Sequence, residues 1–313
     1  MFRWRKGGLV LDARDVGGAA ASHAQTPTPL VLEDRIRVYF APRDADGRSF
    51  TAFADLDLHD PRRVLHVHAA AVLDPGRPGT FDDEGIMPSS ALADGGRVLL
   101  YYSGWNQRKT VPYHNSTGLA ESSDGGASFR RVCEGPVLER TPEEPYLAVT
   151  PSVLRENGAW RVWYVSGLRW ESIEGRYEPV YVIKTARSAD GIHWERPNLT
   201  CIAQRHALEA FSRPWVIRLG EAYRMWYCHR HSVNYRDGAG SYRLGYATSS
   251  DGSRWIRRDE EAGLDVSGEG WDSTMICYPS VVQVGGRLIM FYNGNGFGRG
   301  GFGVATAELD EAA

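Results

Sequence analysis

The sequence predicts an all-β protein, a five-bladed β-propeller with four antiparallel strands per blade, and three observations carry that expectation. A proline followed by small and apolar residues recurs at Pro27, Pro88, Pro151, Pro214 and Pro279, with spacings of 61, 63, 63 and 65 residues. A paired aromatic starts 12 or 13 residues after each proline, at Tyr39-Phe40, Tyr101-Tyr102, Trp163-Tyr164, Trp226-Tyr227 and Phe291-Tyr292. A Ser-x-Asp-Gly turn closes three of the units, at Ser122 to Gly125, Ser188 to Gly191 and Ser249 to Gly252. A nearly fixed period with a shared internal grammar is the signature of a repeat architecture, and about four strands per repeat is that of propeller blades.

The stretch Thr150 to Trp194 shows one unit complete. Thr150 to Leu154, Trp160 to Ser166 and Tyr181 to Ala186 are β-branched and aromatic runs, separated by polar turns such as Glu156-Asn157-Gly158. Such runs read as short antiparallel strands. Residues 1 to 26 precede the first proline unit, and within them Gly8 to Asp12 reads as one strand. The last unit, from Pro279 to Leu309, is one strand short. The N-terminal strand is therefore expected to complete the last blade, which removes the open edges a ring would otherwise leave. All 313 residues are expected to form this single domain.

Composition agrees. The chain is 42% hydrophobic, with 35 Gly and 10 Trp, as in a turn-rich globular protein. A net charge of -3 argues against nucleic acid or a membrane surface as the main partner. Cys133, Cys201, Cys228 and Cys277 are scattered, so neither a zinc site nor any other metal or cofactor is expected. The basic N-terminus lacks a following apolar run and no stretch is long enough to span a bilayer, so a cytoplasmic protein without membrane insertion is expected.

Chemistry is expected where segments lead into the inner strands, because these converge at one mouth of the central channel. Four of them carry acids: Asp82, Asp83 and Glu84; Glu143 and Glu144; Glu209; and Asp272. One such acid is equally readable as a solvated loop charge; the set suggests paired carboxylates, one protonated and one ionised, as glycoside chemistry requires. The assignment is Glu209 as general acid and Asp83 as base, with Glu144 and Asp272 positioning. Replacing Asp83 by Asn or Glu209 by Gln is then expected to abolish turnover with folding intact. Arg213 stands just before an inner-strand proline and is read either as an anion clamp or as a structural partner of Glu209. Trp105, His114, Asn115, Trp170, His229, Tyr235, Arg236, Tyr278 and Asn293 complete the expected binding set, aromatic faces for sugar rings and polar groups for hydroxyls. Trp105 and Tyr235 are expected to be exposed.

The repeat, the lead-in acids and the Ser-x-Asp-Gly-x-x-Trp turns at Ser188 to Trp194 and Ser249 to Trp255 resemble the five-bladed propeller glycosidases. These include the arabinanase and xylosidase type, the invertase and levansucrase type and the mannoside phosphorylases. Met87-Pro88-Ser89-Ser90, Tyr102 to Asn106, Val111 to Asn115 and Phe291 to Gly298 resemble phrases of glycosidase-like proteins from bacterial surface-polysaccharide gene clusters. The resemblance implies a carbohydrate or sugar-nucleotide ligand and action on a glycosidic bond by a hydrolase or phosphorylase. A biosynthetic glycosyl transfer enzyme and a non-catalytic glycan-binding propeller remain open beside it. The Asp that the arabinanase type places before the blade-one proline is Thr26 here. The Ser-x-Asp-Gly turns also resemble sialidase Asp boxes, which are structural.

Overall fold

A computed structural model describes residues 2–309. The chain opens with β1 (Arg5–Asp12) and then lays down its blades in order. Blade one is β2 (Ser22–Val31), β3 (Arg35–Arg43), β4 (Thr51–Asp57) and β5 (Val64–Leu73); blade two is β6 (Gly85–Asp94), β7 (Arg97–Gln107), β8 (Tyr113–Ser122) and the short β9 (Arg130–Arg131). Blade three is β10 (Ala148–Glu156), β11 (Ala159–Ile173) and β12 (Arg176–Ser188), its fourth position held by the isolated bridges Arg187 to Glu195 and Lys184 to Thr200. Blade four is β13 (Glu209–Leu219), β14 (Ala222–His231), β15 (Arg243–Ser249) and β16 (Ile256–Arg257). Blade five is β17 (Cys277–Val284), β18 (Arg287–Asn293) and β19 (Gly301–Glu308), and β1 pairs antiparallel with β19 as its outermost strand. The ring closes as the sequence predicts. No helix among the described residues is long and apolar enough to cross a membrane.

The core lies between blades. Apolar clusters join blade five to one through Phe291, Phe302, Phe40 and Ala52, and four to five through Trp226, Tyr246, Ile276 and Met290. Each blade thus buries its face only against its neighbours. The paired aromatics explain the period. Alternate residues of a strand face opposite sides, so one ring of each pair is sent to the next blade and the other stays with its own. Tyr39, Tyr101 and Trp163 donate to the carbonyls of Gly126, Gly191 and Gly252 in the Ser-x-Asp-Gly turn of the following blade, at 2.8, 2.9 and 2.7 Å. Within these turns the Asp carboxylate accepts from backbone N–H groups, as Asp190 does from Ile192 and His193 at 2.8 Å each. Gly191 has φ 79°, and a Cβ there would lie 2.6 Å from the Tyr101 hydroxyl, so only glycine fits both turn and neighbour. Blade five has no such turn, and Phe2 and Trp4 cover Trp226 instead, with centroids at 5.4 and 5.9 Å.

The inner-strand prolines mark a bulge. The residue before a proline is normally extended, yet Thr26, Thr150, Arg213 and Tyr278 have φ of 53, 47, 45 and 54°. The register slips at each site. Backbone N–H groups freed by the bulge are caught by the residue following the paired aromatic of an adjacent blade: Thr26 by Asn293 at 2.8 Å, Thr150 by Ser103 at 2.9 Å, Tyr278 by the Cys228 thiol at 3.5 Å. Left-handed backbone at non-glycine residues costs about 1–3 kcal/mol each and persists only where surrounding contacts impose it.

Candidate functional site

The pairing places the starts of the inner strands, the ends of the second strands and the starts of the third strands at one end of the ring. Residues from all five blades meet there. Arg43 of blade one donates to Gln25 at 3.0 Å and lies 5.8 Å from the Trp105 ring of blade two. Tyr113 of blade two meets Trp170 of blade three edge-on at 5.3 Å. Tyr181 of blade three and Tyr242 of blade four share a hydroxyl hydrogen bond of 2.8 Å. Tyr242 lies 6.1 Å from both Tyr278 and Phe297 of blade five, and Gln25 donates to the Phe297 carbonyl at 2.9 Å, which closes the circle. Trp105, Tyr113, Trp170, Tyr278 and Phe297 are half-buried.

Cations dominate the polar groups of this collar. Arg230 is 2% exposed and donates to the Pro179 carbonyl, to Ser232 and to Tyr242, with Tyr235 stacked over its guanidinium at 3.7 Å. Arg213 is fully buried on the axis and donates to the Pro27 carbonyl and the Thr28 hydroxyl of blade one, both at 2.8 Å. Burial pulls its pKa down to about 9. Arg43 is also lowered by burial. None of the three makes an ion pair among the described residues. His23, next to them, is pushed down to about 4, first by burial and then by Arg43 and Arg299, so it is neutral at pH 7. The buried carboxylate here is Glu178, which accepts from the Tyr235 hydroxyl at 2.6 Å and from Arg236.

The predicted acids do not gather in the collar. Asp82, rather than Asp83, is the buried acid of its lead-in, and it accepts from Tyr102 at 3.0 Å and from Arg131 at 2.7 Å. Glu144 accepts from Tyr164 at 2.9 Å, Ser166 at 2.6 Å and Arg196 at 3.0 Å. Glu209 accepts from Arg257 at 2.6 Å and from the Arg205 amide at 2.6 Å, while Asp272 accepts from Tyr292 at 3.0 Å and Lys6 at 2.7 Å. One rule covers the set: a lead-in acid joins a cation from the fourth-strand position of its own blade, and in three blades the second aromatic of the pair as well. In blade four Tyr227 bonds Asp259 instead, which shares Arg257. Burial raises the Glu209 carboxyl, but His229 and Arg257 outweigh it and hold it well below the usual range. A carboxyl so held keeps its charge and is a poor proton donor near neutrality. Asp83 lies instead on a groove between blades one and two, with Asp44, Asp74 and Glu84, and accepts from the Gly79 amide at 2.8 Å.

The predicted binding set divides. Trp105, Trp170, Tyr278, Arg213, Tyr235 and Arg236 are in the collar or its rim. Tyr235 is 8% exposed, not open as its polar loop suggests, because Arg230 and Arg236 sandwich its ring. Arg213 makes no ion pair with Glu209, so the structural reading made from the sequence does not hold. His114 is buried against Glu139 at 2.9 Å, and His229 faces Glu209 and Asp259 within its blade. Asn115 is half-buried opposite Trp105, its side-chain oxygen without a hydrogen-bond partner. Asn293 is fully engaged, accepting from Thr26 and donating to Ala24 and Gly301.

No family model matches the chain. A Mycobacterium tuberculosis protein named Uncharacterized protein Rv1502 is 39% identical over 307 residues, 97% of this chain and 99% of that one. A second protein of that species, MT1551, matches to the same extent. The chain belongs to the family of these mycobacterial proteins. Solved structures extend the likeness in fold. A glycoside hydrolase superposes with a TM-score of 0.76 at 16% identity, over 98% of this chain and 93% of that one. A glycosyl hydrolase from Bacteroides ovatus gives 0.73 at 15% over 99% and 96%, and a thermostable family-43 glycoside hydrolase 0.67 at 17% over 94% and 91%. The chain therefore shares the five-bladed propeller fold of these glycoside hydrolases.

Reading the sequence missed Arg43, Glu178, Tyr181 and Tyr242. Their signal was position: each sits near the mouth end of a first, second or third strand, where it shares the collar.

Proposed function

We propose that the channel mouth binds a phosphorylated saccharide, a glycosyl phosphate or an activated sugar, and that the protein is a carbohydrate-active enzyme forming or breaking the bond to that phosphate. The observation that carries this reading is the set of three guanidinium groups, Arg213 and Arg230 buried and Arg43 half-buried, without a carboxylate partner inside an aromatic collar. Burying a charge without a counter-ion is costly, and a phosphate supplies one. Half-buried rings at Trp105, Tyr113, Trp170 and Tyr278 suit the apolar faces of a sugar. A positive collar also stabilises negative charge developing on a departing phosphate. Hydrolysis by two free carboxylates has less support, since Glu178 is held by Tyr235 and Arg236 and the lead-in acids are engaged inside their blades.

Calorimetric titration of hexose 1-phosphates against the parent hexoses tests this. Phosphorylated sugars are expected to bind at least tenfold more tightly, and Arg43→Gln to remove most of that difference. Equal affinity for the neutral sugars overturns the reading. Selective binding without turnover of any glycosyl phosphate would assign a glycan-binding propeller instead.

A further inference from the structure

A second cluster of arginines lies far from the mouth. In blade one Arg37 on β3 stands opposite Asp55 on β4, and the two form a bidentate pair at 2.8 and 2.9 Å. Arg37 also donates to the Gly125 carbonyl in the Ser-x-Asp-Gly turn of blade two at 3.3 Å. Blade three keeps this arrangement but changes its partner. Arg161 on β11 donates to the Asp251 carbonyl and the Ser253 hydroxyl in the corresponding turn of blade four, both at 2.5 Å. Its cross-strand partner on β12, however, is Arg187. Like charges directly opposite each other on a sheet are destabilising.

No ion pair among the described residues restores the balance. Arg161 is 8% exposed and makes no ion pair among the described residues, and neither does Arg187. Asp251 spends its carboxylate on the backbone of its own turn, accepting from Ser253 and Arg254. Glu195 joins Arg187 through backbone hydrogen bonds, and its side chain is exposed. Arg196 and Lys184 share the single charge of Glu144. Arg161, Thr185, Arg187, Arg196 and Ser253, with the exposed Glu195 as the one carboxylate among them, line a cleft of about 500 Å³ at the boundary of blades three and four. Arg161 has its pKa lowered, first by burial and then by Arg187, as expected of a cation that lacks its counter-charge.

We propose that this cleft is an oxyanion site that takes a phosphate group between Arg161 and Arg187, in the place that Asp55 fills in blade one. Planar guanidinium groups offer paired N–H donors that match phosphate. Arg161 is near the start of β11 and Trp170 near its end, so about 30 Å of strand separates the cleft from the mouth. The site stands independently of the function proposed for the mouth.

Titration with inorganic phosphate at constant ionic strength tests it on the wild type, Arg187→Asp and Arg43→Gln. A saturable event that survives Arg43→Gln and weakens at least tenfold in Arg187→Asp is expected. Arg187→Asp, which recreates the blade-one pair, is also expected to raise the thermal midpoint in phosphate-free buffer. Titration of Arg187→Asp indistinguishable from the wild type, or no event surviving in Arg43→Gln, overturns the proposal. Glucose 6-phosphate in the same cell separates the sources: affinity equal to that of phosphate marks a site for phosphate esters, and at least tenfold weaker affinity a site for the free ion.

Discussion

Tyr102, Tyr164 and Tyr292 show what the second aromatic does in three of the pairs: its hydroxyl reaches back to the lead-in acid of its own blade. Blade one has Phe40 there, with no hydroxyl, and no lead-in acid. The acids are thus parts of the blade, and their replacement is a stability experiment. Asp82→Asn leaves Arg131 without its counter-charge and is expected to cost about 3–5 kcal/mol, since breaking a buried pair strands a charge. Glu209→Gln is expected to lose stability by a similar route, which reverses the expectation formed from the sequence alone. Denaturant titration measures both, and Arg131→Met combined with Asp82→Asn should recover part of the loss. His23 gives a pH dependence. Its folded pKa of about 4 lies below the ordinary histidine value, so the unfolded chain binds the extra proton first. The stabilisation is complete above about pH 6.5 and is lost as pH falls toward 4. In His23→Gln the thermal midpoint is expected to fall less steeply across that window.

At the scale of the element, β1 carries more than its length suggests. It supplies the outer strand of blade five, Lys6 for Asp272, and, just before it, Trp4 for the blade-four face. Removing residues 2–12 opens an edge, strands a buried acid and uncovers Trp226 at once. The expected outcome is loss of cooperative folding, checked by calorimetry, and not a local defect. The Ser-x-Asp-Gly turns act between blades as well as within them. Gly191→Ala is expected to cost about 1–3 kcal/mol, because alanine is strained at positive φ and meets the Tyr101 hydroxyl; urea unfolding checks it. Trp194 packs edge-on against Tyr101 at 6.2 Å in the same joint.

For the whole molecule, net charge hides its distribution. The chain carries -3, yet the mouth concentrates unpaired arginines because many acids are spent on pairs inside blades. A small overall charge therefore says little about the ligand, and a local positive field remains to steer an anion. Affinity for a phosphorylated sugar is expected to fall several-fold between low and physiological salt, while that for any neutral sugar stays constant. Titration at two ionic strengths checks this.

The blade count, the strand order and closure by the N-terminal strand were legible in the sequence, because repeated prolines, aromatic pairs and turns are local and periodic. The sequence also placed Trp105, Trp170, Tyr278 and Arg213 near the mouth, since position within the repeat translates directly into height along the channel. What it left open was which way each polar side chain points and what it meets. Asp82 and Asp83 are neighbours in the chain, but one is buried against Arg131 and the other faces a groove. Tyr235 lies in a polar loop and is buried by two arginines, and Asn293 lies in a promising phrase and is consumed by a bulge in another blade. Counter-ions come from strands up to hundreds of residues away, as Lys6 does for Asp272. Only the closed ring brings such partners together, so tertiary structure alone decides which charges are paired inside blades and which stand without a counter-ion.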